Sequence, residues 1–513
     1  MVRNVSADCR LVSKRFISHG RLTVTATWVE EEMVGLDLSD GRLNLRFHEL
    51  LSDFSSRPNA SIPEAVGGGN TEVQAAYRFW ANENVSAEAI LAPHVESSRR
   101  RITQYPSVVL VQDTTEIDVT RPQQEVVGAG PLDEGSRVGG FAHPLHAFTE
   151  DGTPLGTVHC QIWTRPQKPA RKPTKAAKLK ARAAARKRPI EEKESGRWVK
   201  GFQAAQAVAE EIPQTEIICV ADSEADLYEL FSETKEGSGN AQLLVRACQD
   251  RLLAASGDES AEPPATLLWA AVEKAAVLTE ATIEVRGREA KVQCETRGRR
   301  QARVSRTTVV NVRAARVTLR GPHRPTGRLP DVIVSAVLVR EINPPAGEAP
   351  IEWLLITTLP IDTLAQVQRV IKLYAVRWKI ELFFRMLKQG CRVEERRFEF
   401  QDRVERFLAM SLIIAWRISY LCHLGRECPE MSCEAVFSPE EWQVAYRVVF
   451  REKPPRKPPS LQSMIRIIAQ LGGYVNRDRQ DEPGLQTLWR GMQRLNDMTM
   501  CWKLFSPDAK NSE

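Results

Sequence analysis

Three acids and one polar stripe are the residues of this chain best suited to chemistry. The segments SVVLVQD (Ser107–Asp113) and EIICVAD (Glu216–Asp222) are short apolar runs that each end in an aspartate. Such runs read as buried strands, and strand-end carboxylates lie where α/β sheets gather ligands. The third acid, Glu381, falls in a segment of helical periodicity running roughly from Leu364 to Gln389. At about 100° per residue, with Tyr374 as zero, Arg377 falls near −60°, Glu381 near −20°, Arg385 near +20° and Lys388 near −40°. One face thus sets a single carboxylate among cations and a phenol. Leu373, Val376, Ile380, Phe383, Phe384 and Leu387 occupy the other side and face a core. Three carboxylates can hold two hard divalent cations about 4 Å apart, which activate a water or hydroxyl on one side of a phosphodiester and stabilise the leaving oxygen on the other. Taken singly, each acid has a plainer reading: Asp113 and Asp222 suit turns or N-caps, and the helix suits a surface element with i,i+4 pairs such as Arg377–Glu381.

Charge distribution favours a polyanionic partner. The net charge is +6, yet residues 161–190 hold eleven Lys and Arg and no acid, so the remainder sums to 6 − 11 = −5. A second stretch, Arg286 to Arg324, has twelve Lys and Arg against Glu289 and Glu295. A solvated charge run explains either tract alone; two on different elements favour nucleic acid, whose condensed counterions are released on binding.

The elements that must position these groups follow in order. Ser39 or Asp40 can cap a helix with Leu43, Phe47, Leu50, Leu51 and Phe54 on one face, and Arg42 and Arg46 lie one turn apart on it, placed to meet phosphates or simply solvated. PEAVGGGN reads as a linker, followed by a helix opening at Thr71 and another capped by Ser86. Strands then alternate with helices: FAHPLHAF and PLGTVHCQIW are strands, and a helix spans Arg197 to Glu211. Strands dominate from about 242 to 360, and the chain is helical beyond about Val404, interrupted by the proline-rich REKPPRKPPS.

Composition excludes other classes. With 513 residues, 42% of them apolar and 27% charged, the chain reads as a soluble globular protein of several domains. The start lacks the apolar stretch of a secretory signal, and the most apolar segment, Leu408 to Cys422, is interrupted by Arg417 and reads as too short to span a bilayer. No membrane role is expected. Ten scattered cysteines without a CxxC indicate reduced thiols, and the spacing of Cys422, His423, Cys428 and Cys433 fits no zinc pattern.

Tyr374-x2-Arg377-x3-Glu381-x6-Lys388 resembles the tyrosine-arginine-glutamate-lysine signature of DDE transposases of the insertion-sequence-four family, which includes the transposon-five transposase. QAAYRFWANENVSAEAI, VQDTTEID, KESGRW, ADSEAD, REINPPAGEAPIEWLLITTLP and IAQLGGYV resemble family segments in family order, from about Leu36 to Leu504. The resemblance implies an α/β fold: an RNase-H-like catalytic core interrupted by a β-rich insertion, with helical N-terminal and C-terminal domains. It places a DNA-end recognition domain at 1–70, the catalytic domain at 71–403 with its insertion at about 242–360, and a dimerisation region at 404–513. Asp113, Asp222 and Glu381 match the metal-binding acids. Tyr374, Arg377 and Lys388 match residues that grip end phosphates, and Arg385 shares their stripe. Trp353, by itself a core strand tryptophan, matches an aromatic on which a flipped-out base stacks. One departure stands out: family members carry an arginine after the second acid, where this chain has Ser223.

The expected activity is that of a cytoplasmic bacterial cut-and-paste DNA transposase. It would act as a homodimer on double-stranded DNA, both the terminal inverted repeats and the target, with two Mg²⁺ ions per site replaceable by Mn²⁺. The rival reading is an inactive or inhibitory DNA-binding regulator of transposition.

Overall fold

The computed structural model describes residues 28–505 except 122, 134, 168–173, 175–178, 182–183, 185–187, 235–239, 255–265, 286–290, 293–298, 301–302, 326 and 476–481. Most of the first basic tract, and part of the second, therefore lie outside the described residues. Two compact units divide the chain: Met1–Val108, Thr114–Ala170 and Trp378–Glu513 form the first, Val109–Asp113 and Arg171–Arg377 the second.

The first unit opens with helices α1 (Trp28–Glu32), α2 (Gly41–Ser56), α3 (Asn70–Trp80) and α4 (Ala87–Ile102). Asp40 is the cap of α2, its carboxylate accepting the Arg42 N–H at 2.8 Å; Ser39 instead takes a left-handed conformation. Phe47, Leu50, Leu51 and Phe54 are buried, so the apolar stripe packs as its spacing requires. The glycine-rich linker contains one helical turn, Ile62–Ala65, closed by a Ser61–Glu64 capping box. Ser86 caps α4 by accepting the Ala89 N–H.

Strand β1 (Ser107–Gln112) is split between the units. In the first, β2 (Thr115–Asp118) runs antiparallel to β3 (Val138–Phe148), which pairs on with β4 (Pro154–Trp163). The second unit continues from β1 to β5 (Glu216–Ala221) and β6 (Gln242–Arg246), which are parallel to each other, with α5 (Gly196–Glu211) packed on β5. Beyond β6 the order is β10 (Glu352–Thr357), β9 (Val332–Glu341), β8 (Arg306–Leu319) and β7 (Val277–Val285), all antiparallel. In the second unit the hydrogen-bonded order is β1–β5–β6, and in the first β3 pairs with both β2 and β4, strands of an RNase-H-like core. Five of six residues in both β1 and β5 are buried, which explains their unbroken apolar sequence. The strand-rich region starting near 242 thus begins with β6, a strand of the core order.

The expected single helix from Leu364 is three pieces: α6 (Leu364–Val376), α7 (Lys379–Arg385) and a wide π turn, Met386–Gly390. The Arg377 and Glu381 N–H groups bond three residues back, to Tyr374 and Trp378, which tightens the path between α6 and α7. The first unit ends with α8 (Gln401–Glu427), α9 (Pro439–Phe450), α10 (Leu461–Leu471) and α11 (Leu485–Phe505). By length and composition α8 could cross a membrane, contrary to the expectation from Leu408–Cys422 alone. However, 78% of its apolar window is buried against protein, as in the core helix of a folded domain. Cys422, Cys428 and Cys433 lie in the apolar core of this bundle.

One buried ionic group holds α1 to α4. Glu32 receives the His94 Nδ1–H at 2.5 Å and two Arg101 N–H bonds at 2.8 and 3.0 Å, while His94 Nε2 accepts the Thr157 N–H. The imidazole is therefore neutral, with its proton on Nδ1. Burial alone would raise the Glu32 pKa, but Arg101 and His94 hold it at about 2, below the ordinary 4.5. A depressed carboxylate stabilises the fold fully above its unfolded pKa, and that contribution is lost as pH falls through about 2. Glu32→Gln is expected to cost about 3 kcal/mol at neutral pH, because Arg101 loses its counter-charge; a lowered urea midpoint would show it.

Candidate active site

The second unit gathers most of the expected site. Asp113 follows the last residue of β1, and Asp222 follows the last residue of β5. Because β5 and β6 are parallel, with Ala221 opposite Val245, Arg246 emerges at the same sheet edge as Asp222. The Asp222 carboxylate caps the turn Ser223–Ala225 by accepting the Glu224 N–H at 2.8 Å. The other aspartate of ADSEAD has a structural task. Asp226, 1% exposed, accepts the Cys248 and Gln249 N–H groups at 2.7 Å and bonds Arg251, fixing the chain after β6.

Helix α6 brings the basic and phenolic groups. An ion pair of Arg369 with Glu216, 2.5 Å, ties it to the start of β5. Arg377 Nη1 lies 3.4 Å from Asp113 Oδ2, with both side chains largely buried. Tyr374 is 5% exposed, where the stripe geometry implied an open phenol, and its hydroxyl lies beside the Arg377 guanidinium. The reason is Trp353 on β10, half-buried, whose ring centroid is 5.8 Å from that of Tyr374 at 57°. Burial pushes the Tyr374 pKa up; the Arg246 and Arg377 charges oppose the rise, and that of Asp222 adds to it. The phenol therefore stays protonated, between two cations and an acid.

Glu381, Arg385 and Lys388 belong to the first unit. Glu381 lies in the first turn of α7 and is half-buried, while Arg385 is exposed. Lys388, expected to be open to phosphate, pairs with Glu394 at 3.1 Å. Ile380, Phe383, Phe384 and Leu387 are buried, as are Leu373 and Val376 on α6, so the apolar side of the stripe is the core side. On α2, the Arg42 side chain is 91% exposed and folds back on Asp40, and Arg46 pairs with Glu49 at 3.0 Å.

The second basic tract presents less free charge than its sequence suggests. Arg306 pairs with Glu341 and Glu348, Arg316 with Asp362, and Arg324 with Glu229. Long-range partners neutralise these arginines, so this tract supports nucleic-acid binding less than its count implies.

Asp113, Asp222 and Glu381 offer only carboxylate oxygen, the donor chemistry of hard divalent cations. Among the described residues no three His, Cys, Asp or Glu side chains lie close enough together to hold a metal ion. Arg246 was not apparent from sequence patterns. Its guanidinium donates to Ser223 Oγ at 3.0 Å, next to Asp222. The available signal was an apolar strand, QLLVR, ending in a cation one strand after EIICVAD.

Three family models match the chain: transposase DNA-binding over residues 25–85, transposase DDE domain over 151–417, and transposase Tn5 dimerisation domain over 413–502. The DDE match spans more than half of the chain, including Asp222 and Glu381 but not Asp113. A cryo-EM structure of the piggyBac transposase synaptic complex with hairpin DNA is similar at 9% identity and a TM-score of 0.35, over 98% of this chain and 78% of that one. That score is too low to bear on the fold, which rests on the strand order and the family. The chain belongs to the DDE transposases. It is a Tn5-like member with DNA-binding and dimerisation domains, so DNA and a second copy are its partners, and its enzyme class depends on a divalent metal.

Proposed function

We propose that this chain is a cut-and-paste transposase of a bacterial insertion sequence, acting as a homodimer on terminal inverted repeats and then on target DNA. The observation that carries the reading is the grouping of Asp113, Asp222, Tyr374, Arg377 and Arg246 at one strand-end region of an RNase-H-like sheet. Bound at Asp113, Asp222 and Glu381, two Mg²⁺ ions, or Mn²⁺ in their place, would supply Lewis-acid stabilisation and an activated oxygen nucleophile. The protein's own groups do the rest. Arg377 and Arg246 carry positive charge to the scissile phosphate, and the protonated Tyr374 hydroxyl beside Arg377 donates to one of its oxygens. Trp353 offers a half-buried ring for an unstacked base. Arg385 and Lys388 grip the flanking backbone, and Arg42 and Arg46 on α2 read the end through its phosphates. Water opens the end to leave a 3′-OH; that hydroxyl attacks the opposite strand to form a hairpin, which is reopened before attack on the target.

The same reading takes residues 1–70 for end recognition, 71–403 for catalysis and 404–513 for dimerisation. In the last of these, α11 leaves Trp502 and Phe505 exposed. The test is a duplex ending in the inverted repeats that flank this reading frame, incubated with the protein and Mg²⁺ or EDTA. Cleavage at the repeat boundary only with metal is expected on a denaturing gel. Retarded but uncut DNA under both conditions would favour an inhibitory DNA-binding regulator.

A further inference from the structure

Lys388 has a resident partner that the reaction does not call for. Its Nζ lies 3.1 Å from Glu394 Oε1, with the two side chains 30% and 28% exposed. The carboxylate is fixed in place: the same Oε1 accepts the Asp118 backbone N–H at 3.0 Å. Glu394 sits in the short turn Val393–Glu395, preceded by Arg392 in the left-handed region at φ 49°. Two residues on, Arg396 is 5% exposed and donates to the carbonyl oxygens of Pro58, Ala60 and Cys391. The rings of Phe54 and Phe407 flank its guanidinium. Burial pushes its pKa down to about 10, which still leaves it charged at neutral pH. The turn carrying Glu394 is thereby tied to the chain just after α2, inside the segment that matches the DNA-binding model.

A carboxylate opposite Lys388 opposes phosphate binding twice over: it occupies the ammonium, and it repels the strand. Its backbone bond and the Arg396 anchor keep it from simply swinging away. A partly exposed ion pair of this kind weighs up to about fivefold in an equilibrium, so a DNA backbone that releases its own counterions can displace it.

We propose that Glu394 is an internal competitor for Lys388, holding the ammonium in the DNA-free protein until an end phosphate takes it. This rests on the reading that Lys388 contacts the DNA end. Phosphates that reach Lys388 in poor geometry do not repay the broken pair, so Glu394 lowers affinity for wrongly placed DNA.

The full chain, as wild type, Glu394→Gln, Lys388→Gln and the double variant, is titrated with a fluorescent inverted-repeat duplex in EDTA, so that cleavage does not enter. The glutamine oxygen can still accept the Asp118 N–H, and matching thermal midpoints would confirm that the fold is kept. Glu394→Gln is expected to tighten binding about two- to fivefold and Lys388→Gln to weaken it, while Glu394→Gln adds no gain in the Lys388→Gln background. A gain that persists undiminished in that background would show general repulsion and overturn the proposal, as would no gain in the single variant. Unchanged binding by Lys388→Gln would overturn the role of Lys388 itself and the proposal with it. A weakening by Lys388→Gln without a gain from Glu394→Gln would leave the reading standing and sink the proposal alone.

Discussion

With Glu381 replaced by glutamine, the chain is expected to bind end DNA within about twofold of wild type and to leave it uncut. The amide matches the carboxylate in size but carries no charge, and it is a poor ligand for a hard cation. If the three acids bind metal as proposed, losing one of them removes several kcal/mol of stabilisation of the reacting phosphate, so cleavage should fall by roughly 10³-fold or more. Folding should be little affected, because Glu381 is only half-buried in the first turn of α7, beside the buried Ile380 and Phe383. Parallel gel-shift and cleavage assays separate the outcomes. Retained binding with lost cleavage assigns Glu381 to the chemistry. Loss of both would place its role in holding α7 or the DNA instead, and full cleavage would remove it from the site.

The parts of this arrangement that sequence made legible are those governed by local period. Val108 to Gln112 and Ile217 to Ala221 are buried in unbroken runs because their strands are covered on both faces, and the terminal acids mark where each strand leaves the sheet. The same holds for the apolar faces of α2 and of α6–α7, where 3.6-residue spacing coincides with burial. Groups whose state depends on a partner outside their own element are not legible. Tyr374 sits on the polar side by angle, yet Trp353 from β10 covers it. Lys388 reads as an open cation until Glu394 returns through a turn beyond the helix. The arginines of β8 read as a basic stripe, but the acids that neutralise Arg306 and Arg316 arrive from Glu341, Glu348 and Asp362. Nor does the helix from Leu364 keep a uniform 100° step. The three-residue bonds at Arg377 and Glu381 tighten the path, and the π turn at Met386–Gly390 widens it.

Arg246 is where these two kinds of information meet, and its removal is the second large expected effect. By the family resemblance of ADSEAD, Ser223 stands where an arginine is expected, which implies a missing cation beside Asp222. The structure supplies one from the neighbouring strand: Arg246 ends β6, parallel to β5, and reaches Ser223 Oγ at 3.0 Å. A cation held by a strand is preorganised, so its field acts on developing phosphate charge without reorganisation in the reaction step. Arg246→Ala is therefore expected to lower end cleavage by about 10²-fold while shifting end-DNA affinity less than about threefold. Arg246→Lys should fall between, since it keeps the charge but loses the planar fork. Adding Ser223→Arg to Arg246→Ala should recover about tenfold of the lost rate, because the new guanidinium enters the space the old one vacated. Ser223→Arg alone should give no gain, since it sets two guanidinium groups against each other and removes the hydroxyl that orients Arg246. Single-turnover cleavage of the inverted-repeat duplex distinguishes these cases. Wild-type rates in Arg246→Ala would reduce Arg246 to a strand-end surface residue. An Arg246→Ala defect that Ser223→Arg does not relieve would show that position, rather than charge, is what Arg246 contributes.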